Sequence, residues 1–414
     1  MEQENNHTLI GPFKQLVTMD GLPEAGPIED EELELIENAG VLVHDGHIIL
    51  VEQYDKLLKI TQEEGYPLQK IEEPMVLLPG LIDAHTHICF AGSRANDYAM
   101  RVAGKSYLEI ARNGGGILDS VRKTREASMV ELVDLLKKRC DRHLAEGVTT
   151  CEVKSGYGLT TEEELKMLEA IKLVNKHHAL ELIPTCLAAH MRPPEHTDSR
   201  LYLQEVVTQL LPQIKEQGLA NRVDIFIEDT AFNEENSLEY LSAAKEMGFD
   251  ITVHADQFST GGSRIAAEIG AVSADHLEAS GDEEIELMRN AGVVAVVLPG
   301  ASLGLGMHYA PARKMLDGGL CLAIATDWNP GSAPMGDLLL QAALLGAAEK
   351  LTSAETLAGI TIRAAKALNL SDRGTIAKGQ LADLIAFRTD NYREILYQQG
   401  KLKPSKVWKQ GKEV

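Results

Sequence analysis

Eight short apolar runs recur through the middle of the chain, and helical patterns separate most of them. The runs lie at 81–87, 148–153, 182–189, 223–227, 251–254, 271–274, 293–298 and 320–325. Amphipathic stretches fall at 129–146, 161–177, 201–217, 237–247, 262–269, 282–290 and 310–317. Strands that read as near-continuous apolar runs and alternate with helices form a parallel sheet covered on its faces. Eight such units predict an α/β fold, a (β/α)8 TIM-type barrel. A doubly wound open sheet is the competing architecture, but no GxGxxG turn follows the first strand. The three glycines at 114–116 follow a helical pattern and read as a flexible loop near the barrel mouth.

The two ends of the chain are different. Segment 8–17 reads as a strand, and VLVHDGHIILV at 41–51 as two short strands about a turn at Asp45-Gly46. Segments 373–387 and 407–414 read as further short strands with glycine turns. Neither end is large enough to bury a core alone. They are therefore expected to meet in one small β-sandwich domain formed from both termini, with 1–74 and 371–414 in that domain and 75–370 in the barrel. A chain of 414 residues suits such a barrel with a satellite.

Composition narrows the partners. Lys and Arg number 40 against 62 Asp and Glu, a net charge of −22. An acidic surface disfavours nucleic acid and anionic membrane. No apolar run reaches the roughly 20 residues that span a bilayer, and the first residues lack the basic and apolar regions of a secretory signal. Cys89, Cys140, Cys151, Cys186 and Cys321 show no CxxC spacing, and three of them sit in apolar runs. Reduced thiols in a cytoplasmic protein are the expectation.

In barrels of this kind the chemistry sits at the C-terminal ends of the strands. Here the first run ends in His85 and His87, the third in His190, the fifth in His254 followed by Asp256 and Gln257, the sixth in Asp275-His276, and the eighth in Asp327. Glu228 follows the fourth. His85 and His87 are two apart, so an extended strand points both the same way. An HxH pair alone is a weak signal, because packed or surface histidines are commoner. Matching partners at other strand ends strengthen it. Three imidazoles and a carboxylate, His85, His87, His254 and Asp327, suit a single metal ion, Zn²⁺ or Fe²⁺/Fe³⁺. Water on such an ion becomes acidic near neutral pH. His276 and Asp327 are then candidates to carry protons between that water and a departing nitrogen.

These residues carry a resemblance. PGLIDAHTHICFAGSR, KSYLEIARNGGGI, TTCEVKSGYGL, HADQF with a following GG, SADHL, VAVVLPG, YAPAR and ATDWNPGS resemble the blocks of the imidazolonepropionase family of amidohydrolases, over nearly the whole chain. The resemblance implies a metal-bearing barrel with a β-domain from both termini. It implies hydrolysis of a cyclic amide, 4-imidazolone-5-propanoate plus water to N-formimino-L-glutamate, in histidine degradation. It places the metal on His85, His87, His254 and Asp327, and catalytic positions on His276, Asp327 and Gln257. It places substrate contacts on Arg94, Tyr157, His190, Gln257, Asn329, Gly331 and Ser332, and it implies a homodimer. Arg94 can pair with a carboxylate through both prongs of its fork. Gln257 offers a donor and an acceptor to a ring amide and cannot act as a base, which leaves that work to His276. Backbone groups of 329–332 are expected to face the substrate. Loops at 191–196 and 301–306, and the turn at Asp229-Thr230, depart from the family pattern. They leave open a related small nitrogen heterocycle, opened or deaminated, as the alternative substrate.

Overall fold

At Gly80 the chain leaves one sheet and enters another. The structure, a computed structural model, describes residues 7–105, 109–110, 113–228 and 231–414. The start of the chain, part of the KSYLEIARNGGGI block and the Asp229-Thr230 turn lie outside these residues. Strands β1 (His7–Val17), β2 (Leu35–His44), β3 (His47–Gln53), β4 (Leu68–Lys70) and β5 (Val76–Pro79) precede the crossing. Then come β6 (Leu81–Asp83), β7 (Val148–Lys154), β8 (Glu181–Ala189), β9 (Arg222–Ile225), β10 (Asp250–Ala255), β11 (Ser273–His276), β12 (Val294–Val297) and β13 (Leu322–Ile324). The chain returns through β14 (Leu384–Phe387), β15 (Lys406–Lys409) and β16 (Lys412–Glu413).

The terminal strands form one mixed sheet in the order β16-β15-β14-β5-β1-β2-β3, with β4 beside β1. The expected sandwich is thus a single sheet folded over. Phe13 on β1 and Trp408 on β15 are three strand steps apart, roughly 14 Å in a flat sheet, yet their rings meet edge to face at 6.1 Å. Residues 75–81 are one apolar stretch of the sequence leading into the expected 81–87 strand, yet they are divided between the two sheets at Gly80. A Cβ there would lie 2.2 Å from the Thr149 hydroxyl, so only glycine lets β5 turn into β6 beside β7. Leu77 packs into the core of the terminal sheet, while Val76 and Leu78 join the larger barrel cluster.

All eight expected inner strands are present, parallel and in sequential order from β6 to β13. The ring closes at its mouth: Asp327 N donates to His85 O at 3.0 Å and His87 N to Trp328 O at 2.9 Å. Outward side chains such as Val153, Val223, Val253 and Ala274 pack on the helical shell. Their alternating neighbours, Glu152, Lys154, Asp224, Thr252 and Asp275, are buried inside.

The helical shell departs from expectation in places. The stretch 201–217 is not one regular helix: a π turn at Val206–Leu210 joins helices Ser199–Glu205 and Leu211–Gln217. Pro212, in the first turn of the second helix, has no N–H to continue the regular ladder. Helices Tyr54–Glu64, Ala95–Val102, Ile117–Glu126, Pro299–Leu305 and Leu338–Glu349 were not anticipated. Within 373–387 only β14 is a strand; Ile376, Gly379 and Ala382 instead bond singly to the backbones of Thr18, Ile48 and Gly46. Among the described residues no helix is long and apolar enough to cross a membrane, and all five cysteines are buried and free.

Candidate active site

The four metal-type residues converge at the barrel mouth. His85 Nε2 and His87 Nε2 are 3.2 Å apart, and His254 Nε2 is 3.3 Å from His87 Nε2. Asp327 Oδ1 lies 3.3 Å from His87 Nε2 and 3.6 Å from His85 Nε2. Bonds of about 2.0–2.1 Å to a tetrahedral ion separate its donors by about 3.3 Å, so the spacing fits a divalent metal. The outer ring nitrogens support this. His85 Nδ1 is 2.6 Å from Asp275 Oδ2, and His254 Nδ1 is 2.8 Å from Asp224 Oδ2. Each carboxylate accepts from Nδ1–H, which fixes the tautomer and leaves the Nε2 lone pair aimed inward. Two such lone pairs then face His87 Nε2 in a buried space, an arrangement that a shared cation can satisfy.

The backbone holds the set in place. Asp83 accepts from Thr326 N at 3.0 Å and Thr326 Oγ1 at 2.6 Å, which ties the end of β6 to the end of β13. It also lies 3.2 Å from His143 Nε2 on helix Met129–Ala145. His276 and Asp327 both adopt left-handed backbone, with φ of 85° and 51°. Each such residue costs on the order of 1–3 kcal/mol, a strain that concentrates at functional sites.

All seven expected contact residues border one cavity of about 190 Å³, together with His87, His254, His276 and Asp327. Arg94 is held by Asp97, whose carboxylate accepts from Arg94 Nε and from Gly116 N, both at 2.8 Å. The 114–116 segment is thus pinned at Gly116, where a flexible loop was expected. A Cβ on Gly331 would fall 2.3 Å from Arg94 Nη1, so only glycine lets the guanidinium approach this closely. His190 stacks on His87 with ring centroids 5.1 Å apart and donates Nδ1–H to Gly156 O at 3.1 Å. Its Nε2 then remains an acceptor.

The 329–332 loop corrects the expectation that its backbone faces the substrate. Asn329 Oδ1 accepts from Gly331 N at 2.7 Å and Ser332 N at 2.8 Å, so both donors are consumed within the turn. Asn329 Nδ2 is likewise used, on Asp327 O at 2.7 Å. Glu228 stays out of the cavity; it accepts from Phe258 N at 2.7 Å and Ser259 Oγ at 2.6 Å and shapes the loop after β10.

Charge is distributed unevenly over the site. Burial, with Lys154 beneath, pushes His87 down to about 3. Burial pushes His254 down to about 4 despite the pull of Asp224. His85 is lowered as well, again chiefly by burial. These rings are neutral at pH 7, as metal donors must be. His276 behaves oppositely. Burial disfavours its charge, but Glu278, Asp327 and Asp275 outweigh it and raise its pKa. Its Nδ1 lies 3.7 Å from Glu278 Oε2, and Glu278 Oε1 accepts from Ser302 Oγ at 2.8 Å.

Sequence reasoning did not assign roles to Asp224, Asp275, Glu278, Lys154 or Asp97. Asp224 and Lys154 sit in apolar strands where alternation alone marks them as inward. Asp275 stands beside His276 in the strand-end pattern. Arg101, on an unanticipated helix, also lines the cavity.

Comparison with known proteins agrees with this geometry. The amidohydrolase family profile matches residues 76–414. The chain is 41% identical to an imidazolonepropionase of Bacillus cytotoxicus over 97% of its length and 95% of the relative's. It is 41% identical to one of Fusobacterium nucleatum, with 96% of each chain covered. A zinc-bound adenosine deaminase from Xanthomonas campestris superposes with a TM-score of 0.71 at 19% identity, over 98% of this chain and 92% of that one. That last likeness bears on fold alone, whereas identity of this extent along nearly the whole length places the chain in the amidohydrolase family, among the imidazolonepropionases.

Proposed function

We propose that the chain hydrolyses 4-imidazolone-5-propanoate to N-formimino-L-glutamate in histidine degradation, by breaking the ring amide C–N bond. The observation that supports this reading most is the shared cavity: His87, His254 and Asp327 of the three-imidazole, one-carboxylate cluster line it together with Arg94. One ion, Zn²⁺ or Fe²⁺/Fe³⁺, held by His85, His87, His254 and Asp327, would acidify water and polarise the ring carbonyl.

The protein's own groups do the rest. Arg94, its Nε occupied by Asp97, presents its remaining N–H donors to the propionate carboxylate. Neutral His190 offers Nε2 as acceptor to a ring N–H, and Gln257 can serve either side of the amide. His276, expected from the sequence to act as the base, is instead the group that holds a proton near the departing ring nitrogen, because Glu278, Asp327 and Asp275 favour its charged form. Asp327, the carboxylate beside His85 and His87 Nε2, would take the first proton of the water. Tyr157, buried beside His87 and His190, closes the cavity against solvent. Water adds its oxygen to the carbonyl carbon, the C–N bond breaks, the nitrogen leaves with the proton from His276, and the proton held by Asp327 restores His276. Of the two described loops that depart from the family, 191–196 does not reach the cavity, and 301–306 reaches it only at Leu305. That leaves the ring pocket suited to the family substrate. We further propose a cytoplasmic homodimer, which light scattering on the purified protein tests.

The experiment is an assay with imidazolonepropionate generated in place from urocanate. Loss of ring absorbance without release of ammonia is expected. Free ammonia with the ring left closed would indicate a deaminase instead.

A further inference from the structure

Lys154 is fully buried inside the barrel, where a lysine is rare unless its charge is matched. Its amine lies 2.8 Å from Glu152 Oε2, 2.9 Å from Asp224 Oδ2 and 3.6 Å from Asp275 Oδ2. Two of these oxygens have a second contact. Asp224 Oδ2 is the atom 2.8 Å from His254 Nδ1, and Asp275 Oδ2 the atom 2.6 Å from His85 Nδ1. One amine therefore lies within ion-pair distance of both oxygens that aim two imidazoles of the cluster, close against Asp224 and farther from Asp275.

The surroundings leave few alternatives. Asp224 Oδ1 is taken by Ile225 N at 2.7 Å and His254 N at 3.1 Å. Asp275 also accepts from Ser273 Oγ at 2.8 Å and Thr252 Oγ1 at 3.2 Å. Glu152 Oε1 accepts from Thr185 Oγ1 at 2.5 Å and sits 3.4 Å from Arg222 Nε. Arg222 answers Glu152, so the two orienting carboxylates share Lys154 as their cation. Without it they would repel each other across the barrel and draw away from the imidazoles.

We propose that Lys154 is the positioning residue of the metal centre: a single buried ammonium beneath it fixes Asp224 and Asp275, and through them the direction of His254 and His85. This rests on the reading that those histidines hold a metal. Glu152, which pairs with the amine but accepts from Thr185 and Arg222 rather than from an imidazole, is the internal control.

The test is Co²⁺ titration of the metal-free full chain, read by chelator competition and by the visible bands of bound Co²⁺, with folding checked by circular dichroism. Wild type should bind one Co²⁺. K154M should bind it about 10–100-fold more weakly, the usual effect of losing a group that supports metal ligands, with shifted visible bands. E152Q should keep wild-type affinity and bands. If K154M does not fold, E152Q/K154Q, which removes one charge of each sign, carries the same expectation. A folded K154M, or folded double variant, with wild-type affinity and spectrum would overturn the proposal. So would E152Q weakened as much as K154M, which would mean general loosening. Wild type that takes up no Co²⁺ would overturn the ligand assignment itself.

Discussion

The two arcs of the barrel interior are built from different materials. Along β7–β11 the inward positions carry Glu152, Lys154, Arg222, Asp224 and Asp275, all buried. Along β12, β13 and β6 they carry Val294, Val296, Ala323 and Ile82, packed with Ala364, Ala365 and Leu368 beneath. Both arcs fill space, yet only the charged one reaches the outer nitrogens of His85 and His254. A buried ion network is weak evidence for stability, since desolvation offsets most of its attraction. The apolar arc holds the ring shut, and the charged arc is retained for what it does to the imidazoles. Substitutions in the two arcs should therefore separate chemistry from stability.

The largest effect is expected above the arcs. H276N should lower kcat about 10²–10⁴-fold, the usual contribution of a positioned proton donor, with metal content unchanged by elemental analysis. R94M should raise KM roughly 10–100-fold, for a charge-assisted pair of about 1.5–3 kcal/mol. Michaelis curves on the ring substrate check it. In the charged arc, D224N should weaken metal binding about 10–100-fold, and excess metal should restore activity. In the apolar arc, V296A should cost about 1–3 kcal/mol in denaturant melts, with kcat per folded molecule unchanged. If V296A lost metal as readily as D224N, the distinction between the arcs would fail.

The smallest effect is a pH trend in the metal-free protein. His87 and His254 titrate at about 3 and about 4 when folded, against about 6.5 unfolded. Between pH 6.5 and 4 the unfolded chain binds more protons, so stability falls as pH falls. His276 has the opposite sign: its raised pKa favours the fold below pH 6.5, and that contribution is lost as pH rises through the folded value. Asp275, which burial pushes up to about 7, shares that sign, so melts of D275N at pH 7, 6 and 5 should decline more steeply than those of the wild type. Bound metal should flatten the trend.

The sequence made the barrel legible because its strands alternate with helices and end in His, Asp or Glu. His85, His87, His254 and Asp327 could be found that way. Strand limits were harder: the 75–81 run gives no sign that Gly80 divides it, because the reason lies in Thr149 of a neighbouring strand. Helix Ala95–Val102 was missed since its length is only about two turns, too short for periodicity to register. Asp97, Asp224 and Lys154 were hidden for a further reason. Their partners are Arg94 and Gly116, His254, and Asp275, and only the closed ring brings the distant ones together. The 329–332 turn shows the limit of loop reading, since one Asn side chain absorbs the donors that a Pro-Gly turn would otherwise expose.

The most direct measurement is X-ray absorption at the zinc edge of protein reconstituted with one Zn²⁺ per chain. Three nitrogen donors and at least one oxygen, all at about 2.0–2.2 Å, with the oxygen shell altered in D327N, are the predicted result. A sulfur shell, or a spectrum unchanged in both D327N and H254A, would contradict the convergence of these four side chains on one ion.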